Sequence, residues 1–304
     1  MKISVIIPVF NATKTLVRAI QSVLRQEEVD EVIVVDDGSK DDSAKLVQDM
    51  QLLNDKIKFL THPLGANKGP SATRNMGIKE AKNEWIAFLD ADDYYLENRF
   101  YEVVKKIKSN SNIDGVYDTI QLEGDDNKKI GILEKNILPE NLFSSMSPLG
   151  NAGQFTPDGF VVRKTLLIKA GLFNEEMHFG EDILLWFKCA LLGRLVQGSN
   201  GVSVAVFSRD GNNMTHNVEV KRYLIPVYQN LLKAKELKLS QSRKNVIIER
   251  LMFSHLDVYK KEDEKMKAFI QYFIILIKTT LKNPGFLFSR EFRITLKSAK
   301  NIVA

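Results

Sequence analysis

Carboxylates gathered in three short strings are the residues of this chain best suited to chemistry. FLDADD (88–93) puts Asp90, Asp92 and Asp93 within four positions, directly after an apolar run. Like charges that close cost folding energy unless a cation or a proton relieves them. Hard oxygen donors of this kind suit Mg²⁺ or Mn²⁺ bridging a diphosphate. A cluster of helix N-cap residues is the plainer reading, and Asp93 is the candidate for that role. VVDDGS (34–39) ends in Asp36 and Asp37, which can accept hydrogen bonds from a base or a sugar hydroxyl. The same D-G-S string is also ordinary turn chemistry. GEDILLWF (180–187) opens with Glu181 and Asp182. At a helix start the macrodipole favours negative charge, and a carboxylate there can also serve as a general base.

These strings need elements to hold them. Residues 2–10, KISVIIPVF, form a nearly continuous apolar run, the pattern of a strand buried on both faces. Leu16, Ala19, Ile20, Val23 and Leu24 follow at helical spacing, with Asn11 or Thr13 as candidate N-cap. Residues 31–39 read as a second buried strand, 41–50 as a helix, 56–60 as a short strand, 71–82 as a helix and 85–89 as a strand. Strands alternating with helices predict a parallel sheet with ligands at the strands' carboxyl ends, where the carboxylates fall. Further on, a helix is expected from Tyr94 to Ser109, a strand over 115–122 and irregular chain through Pro157. A strand over 159–164, a helix over 181–192 and a last strand over 202–207 follow, with only helical signals beyond Glu219.

VIIPVFN (5–11), VVDDGS, GPSATRN (69–75), FLDADD and the later Glu-Asp pair together resemble family 2 glycosyltransferases. Each string is weakly specific; the ordered set over residues 1–210 is strongly so. The resemblance implies an α/β GT-A fold (Rossmann-like, with a mixed central sheet) over residues 1–218 and an appended helical region, 219–304. It implies an inverting transfer from a nucleotide-diphosphate sugar, a UDP-sugar by preference, to the hydroxyl of a glycan or lipid-linked acceptor, as in surface-polysaccharide assembly. Pro8, Phe10 and Asn11 would line the nucleotide pocket, and Asp37, with Asp36, would recognise the base. Arg74 would approach the phosphates. Asp90 would lie near the ribose and Asp92 on a Mn²⁺ or Mg²⁺ ion. Asp182 would be the base, with Glu181 beside it on the nucleotide sugar. Arg209 and His216 stand where the family places groups that contact phosphate or metal.

Other classes fit less well. A nucleotidyltransferase would carry a Gly-rich basic loop after the first strand, where this chain has PVFNATKT (8–15), and a dehydrogenase would need G-x-G-x-x-G there. An inactive binding or scaffolding subunit keeping the same fold is the alternative from outside the enzymes. One cysteine, Cys189, excludes an intramolecular disulfide, and neither a signal peptide nor a membrane span is evident, so a cytoplasmic site is expected.

The overall charge of +5 hides an asymmetry: residues 219–304 hold 18 Lys+Arg against 8 Asp+Glu. Residues 265–304 alone have eight basic residues and one acidic, interleaved with aromatic and aliphatic side chains. That composition suits a helix on an anionic membrane surface, and equally a docked helix with a solvated basic face. Nucleic acid is not expected, since no binding motif accompanies the charge.

Overall fold

A computed structural model describes residues 1–123, 129–130, 138–146, 156–198, 205–208, 220–261 and 265–303. The chain divides into two compact units, Met1–Asn212 and Asn213–Ala304.

The first unit alternates β1 (Ile3–Val9), α1 (Leu16–Leu24), β2 (Val29–Asp36), α2 (Ser43–Leu53), β3 (Ile57–Thr61), α3 (Gly69–Glu80) and β4 (Trp85–Phe88). It continues through β5 (Tyr94–Tyr95), α4 (Tyr101–Ser109), β6 (Gly115–Tyr117), β7 (Ile120–Glu123), β8 (Lys129–Ile130) and α5 (Pro139–Ser145). Then come β9 (Phe160–Arg163), α6 (Lys164–Lys169), α7 (Glu181–Leu192), β10 (Leu195–Gln197) and β11 (Ala205–Ser208). Seven strands form the central sheet in the order β10-β6-β9-β4-β1-β2-β3, and a smaller sheet runs β5-β11-β7-β8.

The first four strands are parallel, as their apolar runs imply. The sheet is nevertheless mixed: β9 runs antiparallel to both β4 and β6. β1 and β2 are buried almost throughout, because α1 and α3 cover them. α3 crosses β1 closely at Gly77, where an added Cβ would lie 2.5 Å from Ile6 Cγ2. Only a glycine permits that approach.

Several expectations are corrected. Tyr94–Tyr95 pairs as a strand with β11, so the following helix starts at Tyr101. The strand expected over 115–122 is two strands in two sheets, broken at Asp118 and Thr119. The stretch read as irregular holds α5, with proline in its first turn. Neither Asn11 nor Thr13 caps α1; Thr15 takes that position, and no side-chain cap bond forms.

The second unit is helical, as its sequence implies: α8 (Val220–Lys233), α9 (Gln241–Lys261), α10 (Lys265–Lys282) and α11 (Arg290–Val303). Met252, Leu256, Tyr272, Phe286 and Ala299 form its small core. Among the described residues, no helix is long and apolar enough to cross a membrane.

Candidate active site

The carboxyl ends of β1, β2 and β4 lie side by side because these strands are adjacent and parallel. The loops after β1 and β2 are latched together. Asn11, at φ +51°, donates its amide to Ser39 Oγ (3.0 Å), and its Oδ1 accepts from the Lys40 amide (2.8 Å). Phe10 stands half-exposed at this rim, next to a partly buried Pro8.

Asp36 and Asp37 have different partners. Asp36 closes its own turn, accepting from the Gly38 and Ser39 amides at 3.1 Å each. Asp37 reaches across to the start of α3 and accepts from Lys68 N (2.6 Å) and Gly69 N (2.9 Å). His62 Nε2 lies 3.6 Å from Asp37 and 3.1 Å from Thr73 Oγ1. Both carboxylates are buried. Asp36 therefore does the turn chemistry its string suggests, and Asp37 ties two loops into one wall.

Arg74 projects from α3 and is buried. Its Nη2 donates to Asp90 Oδ1 at 2.6 Å, its Nη1 lies 3.6 Å from Glu181 Oε1, and its guanidinium sits over the Phe173 ring. Burial opposes the charge, but Asp90, Glu181 and Asp182 outweigh it and hold the guanidinium above its ordinary pKa.

α7 carries Glu181 and Asp182 in its first turn. An aromatic cluster fixes this helix. Trp186 stacks on Phe160 of β9 at 4.0 Å and meets Phe88 of β4 and Phe173 edge-on. Such pairs are each worth ~0.5–1.5 kcal/mol beyond area burial. Burial, and then Asp182, push Glu181 up to about 7. Burial raises Asp182 as well, although its Oδ1 accepts from the Ile183 amide at 2.7 Å. A carboxylate raised toward neutral pH at a site's edge is suited to proton transfer.

At the tip of β4, Asp90, Asp93 and Asp158 each bring one carboxylate oxygen to within 4.8 Å of the others. Asp158 Oδ1 accepts from the Asp90 amide at 2.9 Å. No N–H or hydroxyl donor among the described residues reaches either oxygen of Asp93 or the Oδ2 of Asp158, and the side-chain partner of Asp93 is the Asp158 carboxyl itself. Three oxygen donors with unsatisfied lone pairs fit a hard dication such as Mg²⁺ or Mn²⁺. Without a cation, protons relieve the repulsion. Burial and then Asp158 push Asp93 up to about 11, and burial and then Asp90 push Asp158 to about 8.

The structure brings some of the expected residues together and sets others apart. Asp90 joins Arg74, Glu181 and Asp182, whereas Asp92 is exposed and outside the three-carboxylate group; its carbonyl accepts from Arg18 Nη2 at 2.8 Å. Asp93 is not a cap but a fully buried member of that group. Asp158 has no sequence signal: it sits in an ordinary P-D-G turn, and only its complete burial marks it. Arg209 and His216 lie outside the described residues.

Comparison with known proteins agrees with this architecture. Residues 4–171 match Glycosyl transferase family 2. The chain is 32% identical over 186 residues to the GalNAc(5)-diNAcBac-PP-undecaprenol beta-1,3-glucosyltransferase of Campylobacter jejuni, covering 61% of this chain and 58% of that one. Over 184 residues it is 32% identical to Glycosyltransferase GlyG of Streptococcus pneumoniae, covering 58% of this chain and 59% of the other. A glycosyltransferase of Rickettsia felis is also 32% identical, but the aligned part is only 30% of its length. The chain therefore spans less than two thirds of these relatives. Among solved structures, S. aureus TarS 1-349 in complex with UDP-GlcNAc superposes with a TM-score of 0.62 at 18% identity, covering 93% of this chain and 92% of that one. That likeness shows the shared fold. Most of the chain's first unit lies within the family match, and the chain belongs to glycosyl transferase family 2.

Proposed function

We propose that this glycosyltransferase moves a sugar from a UDP-sugar to an acceptor hydroxyl with inversion at the anomeric carbon. One observation carries the reading: Arg74 links Asp90 of the metal-suited strand tip to Glu181 beside the candidate base. Diphosphate-binding and proton-accepting groups thereby share one site.

Asp90, with Asp92 on the open side and Asp93 and Asp158 behind it, would hold Mn²⁺ or Mg²⁺. When bound, the ion supplies Lewis-acid stabilisation of the leaving diphosphate. Arg74 adds fixed positive charge near that group. In this reading Pro8, Phe10 and Asn11 line the rim for the nucleotide, and Asp37, with Asp36, would recognise its base. Asp182 orients the acceptor hydroxyl and takes its proton as the oxygen attacks the anomeric carbon from the face opposite the diphosphate. One displacement needs no carboxylate nucleophile. Arg209 and His216 complete the phosphate and metal contacts in this reading. The Campylobacter relative, whose name specifies an undecaprenol-linked glycan, supports a lipid-linked or polysaccharide acceptor.

The test is calorimetric titration with UDP, with and without Mn²⁺, using Asp92→Ala as the control. Mn²⁺-dependent binding that weakens in the variant is expected. Absence of binding by UDP and by every other nucleoside diphosphate would overturn the reading.

A further inference from the structure

We propose that α10 of the second unit docks on an anionic lipid surface and that a lysine-lined cleft beside it takes lipid phosphates. The helix exposes Met266, Ile270, Phe273, Ile274, Ile277 and Leu281. At 3.6 residues per turn these six fall within about 100° of the helix circumference. The opposite side carries Tyr272 and Thr279, both buried, with Tyr272 in the unit's core. The exposed stripe is therefore a second apolar face, one the helix does not need for its own packing. Six large apolar side chains in one exposed line mark an interaction surface.

The charge around the stripe identifies the occupant. Lys278 and Lys282 follow at about 40° and 80° beyond one edge of it, and with Lys244 of α9 they line a cleft of about 490 Å³ that Ile248 and Ile275 also line. Among the described residues, none of these three lysines has a carboxylate within ion-pair distance. Residues 265–304 hold eight basic residues against one acid. A second copy of the chain is a poor match, because a two-fold pairing would set this basic face against itself. An anionic bilayer offers both an apolar phase for the stripe and phosphates for the lysines.

This inference is independent of the catalytic reading, and its test requires no turnover. The full chain is sedimented with phosphatidylcholine vesicles with and without phosphatidylglycerol. Selective pelleting with the anionic vesicles is expected, weakening as salt rises. Ile270→Glu/Ile277→Glu and Lys278→Glu/Lys282→Glu should each lower vesicle partitioning by roughly 10-fold or more while leaving the melting temperature unchanged. Equal pelleting with both vesicle types, or variants that bind as well as the parent, would overturn the proposal. So would light scattering showing a dimer that the Ile270→Glu/Ile277→Glu variant dissociates.

Discussion

Arg74 and Asp90, held 2.6 Å apart by a charge-assisted hydrogen bond, join helix α3 to the tip of strand β4. Their pairing is the point at which the fold becomes a site. The guanidinium that neutralises Asp90 also faces Glu181 at the start of α7, so three elements converge on one cation. Replacing Arg74 by Met would leave these acids without compensation. We expect a loss of ~3 kcal/mol in denaturant unfolding, the scale for breaking a buried ion pair.

Asp182→Asn keeps the shape of the first turn of α7 but removes the proposed proton acceptor. Turnover should fall ~10²–10⁴-fold while UDP affinity stays within about twofold of the parent. Steady-state kinetics together with calorimetry separate the two effects. Unchanged turnover would remove Asp182 from the role of base.

Glu181 links stability to pH. Burial and Asp182 raise its pKa from 4.5 to about 7 in the folded chain. Between those values the folded state holds a proton that the unfolded state has released, so stability falls as pH rises through the window. Glu181→Gln should flatten that part of the profile. Urea midpoints measured at intervals from acid to neutral pH would show it.

Asp158→Asn tests the buried side of the carboxylate group against its exposed side. If Asp158 is a ligand, Mn²⁺ affinity should drop by ~100-fold or more, beyond the effect of losing an outer-shell partner. The melting temperature without metal should hold or rise, since Asn is neutral without the proton that burial forces onto Asp158. A normal Mn²⁺ titration in this variant and a lost one in Asp92→Ala would place the ion on the exposed side.

Gly38 is the hinge of the Asp36 turn, at φ +77°, and a Cβ there would lie 2.6 Å from the Gly65 carbonyl oxygen. Gly38→Ala should cost at least ~1–3 kcal/mol from backbone strain alone. It should also weaken UDP binding by shifting the loops that Asp37 ties together.

Much of the first unit is legible in its sequence because local and tertiary demands agree there. β1 and β2 are buried on both faces, so their apolar runs are nearly continuous, and α7 matches its expected limits, 181–192. Legibility fails where pairing decides. Tyr94–Tyr95 is a strand only because β11 lies beside it, and β6 and β7 separate only because they join different sheets. The site divides in the same way. Asp90, Arg74 and the Glu-Asp pair stand out as strings, whereas Asp158 is a lone aspartate in a turn. Its significance arises from the antiparallel return of β9, which no local pattern encodes.

That return has an architectural effect. β9 lies against β4 with Ala87 opposite Val161, so Asp158 reaches Asp90 from the opposite chain direction. Their separation is set by strand register and not by the number of residues connecting Glu123 to Thr156. The described parts of the intervening stretch are anchored separately, β8 on β7 and Phe143 of α5 against Phe187 of α7, so the carboxylates keep their spacing through the sheet alone.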